Sequence, residues 1–178
     1  NRAVTELNHR LPTKRCCQAN TGSVCSNGKG TGVNGNVDGL AVGGNGLFIG
    51  GNIGTVNVCG TGATPDISTR CVAKFDTLAN TWRARSQGNG NGVNSSVFAL
   101  AVIGNGLFVG GNFGTANLGG TGATPAITAN FVAKFDTTTN SWSTLSQGGG
   151  NGVDTWVTAL QVHGHGLACV SRVTTLHF

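Results

Sequence analysis

Tyrosine and methionine are absent from this 178-residue chain, proline occurs three times, and only 10% of residues are charged. Six acidic side chains in all leave little material for paired carboxylates working as general acid and base. The net charge is +5, but Arg2, Arg10, Lys14 and Arg15 sit together near the start of the chain, and the remainder is nearly neutral. A nucleic-acid surface needs a basic stripe on a folded face, so no nucleic-acid partner is expected. No apolar run approaches the roughly 18 residues of a membrane helix, so no membrane span is expected. The chain begins at Asn1 with neither Met nor an apolar signal core, which reads as a processed, trimmed or incomplete polypeptide.

What is abundant is glycine, at 31 residues, together with asparagine and threonine. These are poor helix formers that suit turns and strands. The expected fold class is all-β.

The chain repeats at a period of 60 residues. Ala41-Val-Gly-Gly-Asn-Gly-Leu-Phe-Ile-Gly-Gly-Asn52 returns as Ala101-Val-Ile-Gly-Asn-Gly-Leu-Phe-Val-Gly-Gly-Asn112, and about 28 of 42 positions match between 41–82 and 101–142. A third copy starts on schedule, with Val157, Leu160, Val162, Gly166 and Leu167 in the places of Val97, Leu100, Val102, Gly106 and Leu107. It is then expected to leave the pattern over 168–178. The organisation is a basic leader over 1–25, full repeats over 26–86 and 87–146, and a partial third over 147–178. Periods of this size belong to propellers, solenoids or arrays.

Within a repeat the residues spell four short strands, at about 37–43, 47–51, 71–76 and 81–86 in the first copy. Gly104-Asn-Gly106 between apolar runs is a hairpin signal, expected as a type I′ turn. Asp76 and Asp136 open turns whose ends, Asn80 and Asn140, suit the left-handed conformation. Both carboxylates are therefore structural, and Asp38 aligns with Phe98 and Thr158, so no carboxylate pair recurs.

The motif that ends the second run in Gly50-Gly51 or Gly110-Gly111, then places Phe75 and Trp82, or Phe135 and Trp142, with six residues between them, resembles the kelch motif. Asn130-Phe-Val-Ala-Lys-Phe-Asp136 is also similar to propeller repeats of secreted bacterial proteins related to the central domain of galactose oxidase. The resemblance covers 33–167 and implies four-stranded antiparallel propeller blades, open or fragmentary at two repeats and part of a third. It also implies an extracellular or cell-surface location. Phe replaces the usual Tyr, and the segments 52–70 and 112–130 are long. Gly-Gly allows a close backbone approach, while Phe75, Trp82, Phe135 and Trp142 are expected in the core. Further blades or a homo-oligomer are the candidate covers for the outer faces.

In an up-and-down blade, the segments 52–70, 87–96, 112–130 and 147–156 share one end, which is the expected surface for a protein or glycan partner. Trp156 breaks the repeat there, where Asn36 and Ser96 stand in the other copies. With Asp154, Asn94 and Asn112 it forms the candidate ligand-binding set. Gly60-Thr-Gly-Ala-Thr-Pro65 and Gly120-Thr-Gly-Ala-Thr-Pro125 lack the Gly-Lys-Ser/Thr of a phosphate loop and read as ordered turns. Cys59 and Cys71 flank the first of these and are a candidate disulfide, absent from the second copy, which has Gly119 and Phe131. Cys16 and Cys17 are adjacent, and Cys169 takes the core position of Ile49 and Val109. His163 and His165 lack a third ligand, so no metal and no cofactor are expected. Without tyrosine, neither the radical copper centre of galactose oxidase nor the Tyr nucleophile of sialidases can be built. No enzyme is expected, and no catalytic residue is assigned.

Overall fold

The computed structural model describes residues 26–27, 30–58, 65–147, 149–163 and 166–171. They contain strands and turns and no helix. The first repeat runs β1 (Ser26–Asn27), β2 (Gly30–Val33), β3 (Asn36–Gly43), β4 (Gly46–Asn52), β5 (Thr55–Val58), β6 (Ile67–Ser68), β7 (Val72–Asp76) and β8 (Thr81–Ala84). The second gives β9 (Ser86–Gln87), β10 (Gly90–Val93), β11 (Val97–Ile103), β12 (Gly106–Gly111), β13 (Thr115–Leu118), β14 (Ile127–Thr128), β15 (Val132–Asp136) and β16 (Ser141–Thr144). The third copy begins with β17 (Ser146–Gln147), β18 (Gly150–Asn151), β19 (Val157–His163) and β20 (Gly166–Ser171).

Four small antiparallel four-stranded sheets result, arranged as a four-blade β-propeller, two sheets from each full repeat. The meanders β3-β4-β7-β8 and β11-β12-β15-β16 are the sheets expected from the hairpin and Trp signals. The other two, β1-β2-β5-β6 and β9-β10-β13-β14, are built from segments that the sequence suggested were long loops. Of the segments expected to share one end, 87–96 and 112–130 meet as paired strands, Asn91 opposite Leu118 and Val93 opposite Ala116.

Two expectations need correction. The hairpin turn is Gly104-Asn105, because Ile103 pairs with Gly106, and only Gly104 has positive φ (55°). Positive φ at the first central residue alone marks a type II′ turn, in which glycine avoids a Cβ clash. The third copy also keeps its fold beyond residue 167. Gln161 pairs with Ala168 and Val157 with Ser171, in the register of the earlier hairpins and with the same irregularity near the start of the first strand. Backbone pairing tolerates Ala-Cys-Val-Ser in place of Phe-Val-Gly-Gly, because a ladder is made by main-chain groups.

The core follows the strand alternation. One cluster joins Ile49, Ile53, Val56, Ala73, Phe75 and Trp82. The larger one is centred on the second repeat and reaches back to Phe48 and Val72, so repeats share their interior. The Phe75 and Trp82 rings meet at a tilt of 59° with centroids 5.0 Å apart, and Phe135 meets Trp142 edge-on at 5.1 Å. Ile53 and Phe113, directly after the Gly-Gly-Asn motif, are fully buried plugs between the two sheets of their repeat. Burying such side chains contributes roughly 1.5–3 kcal/mol each.

Candidate functional site

The end of the main sheets where the chain passes to and from the smaller sheets is held by asparagine. Asn94 Oδ1 accepts the amides of Gly114 and Thr115, both at 3.0 Å, and Asn34 does the same to Gly54 and Thr55 at 2.9 and 2.8 Å. Each clamp ties the chain entering a main sheet to the chain leaving it, about 20 residues further on. Asn94 thus uses its carbonyl oxygen structurally, a role the sequence reading did not assign. Asp154 occupies the same register in the third copy and is exposed.

A second set of asparagines stitches repeat to repeat. Asn91 Nδ2 donates to the Ser68 carbonyl at 3.1 Å, Asn151 Nδ2 to that of Thr128 at 2.6 Å, and Asn130 Nδ2 to that of Asn151 at 3.0 Å. Main-chain bonds run alongside, from Val93 N to Arg70 O and from Val153 N to Asn130 O. The carboxamide is suited to this work because it donates and accepts without charge, so its burial carries no ionic desolvation cost.

Asn57 and Asn117 are fully buried and adopt positive φ, 56° and 53°. Asn57 Nδ2 donates to the Pro65 carbonyl, while Asn117 Nδ2 reaches those of Thr124 and Pro125. With Gly120 N bonded to Asn117 O and Thr124 N to Thr121 O, the 120–125 segment is an ordered turn. Residues 60–64 of the first copy lie outside the described residues.

Trp156 stands on this scaffold just before β19, 41% exposed. Asn112 lies at the corresponding crossing one repeat earlier, where its amide donates to the Ser96 carbonyl at 2.9 Å. Asn94 and Asn112 therefore mark one crossing, and Asp154 and Trp156 mark the next. The set is distributed over successive repeats, on backbone fixed by the clamps and stitches.

Among the described residues, no group of three or more His, Cys, Asp or Glu side chains is placed to hold a metal. Cys71 is half-buried and a free thiol, pushed above its usual range by burial. Its candidate disulfide partner Cys59 lies outside the described residues, as do Cys16, Cys17, His165 and the side chains of His163 and Cys169. The four structural aromatics and the glycines at 50, 51, 110 and 111 are all buried. Asp76 and Asp136 cap their turns: Asp76 Oδ1 accepts from Leu78 N and Ala79 N, and Asp136 Oδ1 from Thr138 N and Thr139 N.

Two features escaped the sequence reading. Arg85, where the second repeat has Leu145, is 4% exposed, with its guanidinium 5.3 Å from the centre of the Phe135 ring and 5.9 Å from that of Phe48. It bridges two repeats with aromatic faces instead of a carboxylate. At the opposite end, a cleft of about 220 Å³ opens between the 43–45 and 104–105 turns, with Phe48 and Lys74 in its lining. Lys74 pairs there with Asp76 at 3.0 Å. The signal for Arg85 was its departure from the repeat. The cleft had none, because it forms only where two hairpins meet.

No family model and no curated protein matches the chain, so the resemblance to kelch repeats rests on the motifs alone.

Proposed function

We propose that the chain is a non-enzymatic recognition or scaffold module of an extracellular or cell-surface protein, built from kelch-like propeller repeats. It takes a protein or glycan partner at the end formed by 52–70, 87–96, 112–130 and 147–156. The observation that carries this reading is Trp156, a large aromatic left exposed on a frame whose neighbouring amides and carboxamides are committed to holding the backbone. An exposed ring on rigid backbone is a low-entropy anchor for recognition. Neutral amides and hydroxyls around it suit hydrogen bonding and lack the tuned proton transfer of acid and base catalysis.

A carbohydrate partner is the second reading, favoured by the same ring, since a sugar face stacks on indole while Asp154 supplies an acceptor two residues away. Surface-displayed glycans and secreted proteins should be screened with the full chain and with Trp156→Ala. Binding that disappears in the variant supports the reading. Equal binding by both proteins, or turnover of a substrate by the purified chain, refutes it.

A further inference from the structure

The three positions that begin each main hairpin have different fates in successive copies. Val97 and Leu100 are 0% and 7% exposed, whereas Val37, Leu40 and Val42 are 39%, 63% and 73% exposed. Sequence does not explain the difference, since the residue types are identical. Position in the stack does.

β11 packs against β3 and β4 of the preceding repeat. Val97 lies against Gly50, where a Cβ would collide with its Cγ1 and come 3.3 Å from Leu100 Cγ. Val102 lies against Gly43, where a Cβ would come 2.6 Å from its Cγ1. The next junction is built the same way: a Cβ on Gly110 would stand 2.5 Å from Val157 Cγ1 and 3.4 Å from Leu160 Cδ1. The interface is therefore Val-x-x-Leu of one repeat laid into a glycine gap of the repeat before.

We infer that the outward face of β3, formed by Val37, Leu40 and Val42, is a docking surface for the glycine-bearing strand of another repeat unit. The occupant has stated chemistry: an apolar strand ending in Gly-Gly, like β4 and β12. Both such strands in this chain already hold a following repeat. The third copy cannot offer a gap, because Val170 and Ser171 stand where Gly50 and Gly51, or Gly110 and Gly111, would be. A second copy of the chain is excluded as occupant on the same ground. Residues 1–25 contain one glycine, Gly22, and no Gly-Gly pair. This surface is separate from the Trp156 end, and neither reading depends on the other.

The test places a 60-residue copy of residues 87–146 between Ser26 and Asn27 of the full chain, so that its β12 strand precedes β3. The extended protein should melt several degrees above the parent, and Gly110→Val in the inserted copy should remove the gain. Leu40→Lys should leave the parent's melting temperature unchanged and lower that of the extended protein. Two results overturn the inference. One is Leu40→Lys destabilising the parent as much as the extended chain, which means that the face is already covered. The other is a parent dimer in sedimentation that Leu40→Lys dissociates, which makes a second copy the occupant. Trp156→Ala in both proteins should leave the melting difference between them intact.

Discussion

Trp142 donates its indole N–H to the main-chain carbonyl of Arg85 at 3.0 Å, across 57 residues of sequence and from one repeat to the one before it. Its own amide donates to Gln87 Oε1 at 2.7 Å. A residue that resembles a core aromatic of its blade is therefore also the bolt between blades.

Trp142→Ala should lower unfolding free energy by about 3–5 kcal/mol, the usual cost of truncating a buried Trp. Trp142→Phe keeps most of the packing and loses the hydrogen bond, for about 1 kcal/mol beyond the change in ring size. Urea denaturation of both variants separates the two contributions. Equal losses would show that the bond to Arg85 dominates.

Arg85→Leu should be tolerated. Burial pushes the Arg85 guanidinium down to about 10, and Arg83 adds repulsion. The folded chain thus binds this proton less tightly than the unfolded chain. The penalty is present at every pH below about 10 and fades as pH rises from there toward the ordinary guanidinium range. Contacts with Phe48 and Phe135 offset part of it, and Leu145 shows that leucine suits the register. Melting at pH 7 should stay the same or rise in Arg85→Leu. The parent's stability relative to the variant should climb between pH 10 and 12.

Acid should weaken the turns capped by Asp76 and Asp136. The Ala79 amide and Lys74 hold the Asp76 carboxyl below its usual range, and the amides of Thr139 and Thr138 do so for Asp136. A depressed folded value contributes stability above the unfolded pKa, and this is lost as pH falls through the folded one. The Asp76→Asn, Asp136→Asn double variant should therefore lose less stability than the parent when pH drops from 5 to 2, as followed by melting temperature.

Gly111→Ala should cost about 1–3 kcal/mol, the range for inserting an atom where none fits. The new Cβ would collide with the Ser96 carbonyl oxygen and come 2.9 Å from Val97 Cα, both main-chain atoms that cannot rotate away. Gly114→Ala, with nothing within 4 Å, is the control. Chemical denaturation of the pair decides whether close approach or backbone freedom is what the site requires.

The larger sheets were legible because their signals are local. Gly104-Asn105 closes a hairpin between apolar runs, and Asp136 to Asn140 closes another with Asn140 at positive φ (52°), as expected. The smaller sheets were not legible. Thr115–Leu118 and Gly90–Val93 are four residues each, rich in Gly and Asn, and Asn117 and Gly92 sit inside them at positive φ. Such residues signal turns when they are seen alone, and only pairing across roughly 25 residues makes them strands. The Trp156 region was found because it breaks a repeat. The Asn94 clamp was missed because it obeys one.

The asparagine clamps and stitches also govern how such a chain can change in length. Asn94 reaches 20 and 21 residues forward within its repeat, while Asn91 reaches 23 back and Trp142 reaches 57 back, so the last two spans both cross the boundary at 86–87. A deletion or insertion of a few residues between partners separates at least one of these donors from its acceptor. The addition or loss of a whole 60-residue unit returns each group to an equivalent partner. The architecture therefore accommodates a change of length by whole repeats more readily than by a few residues.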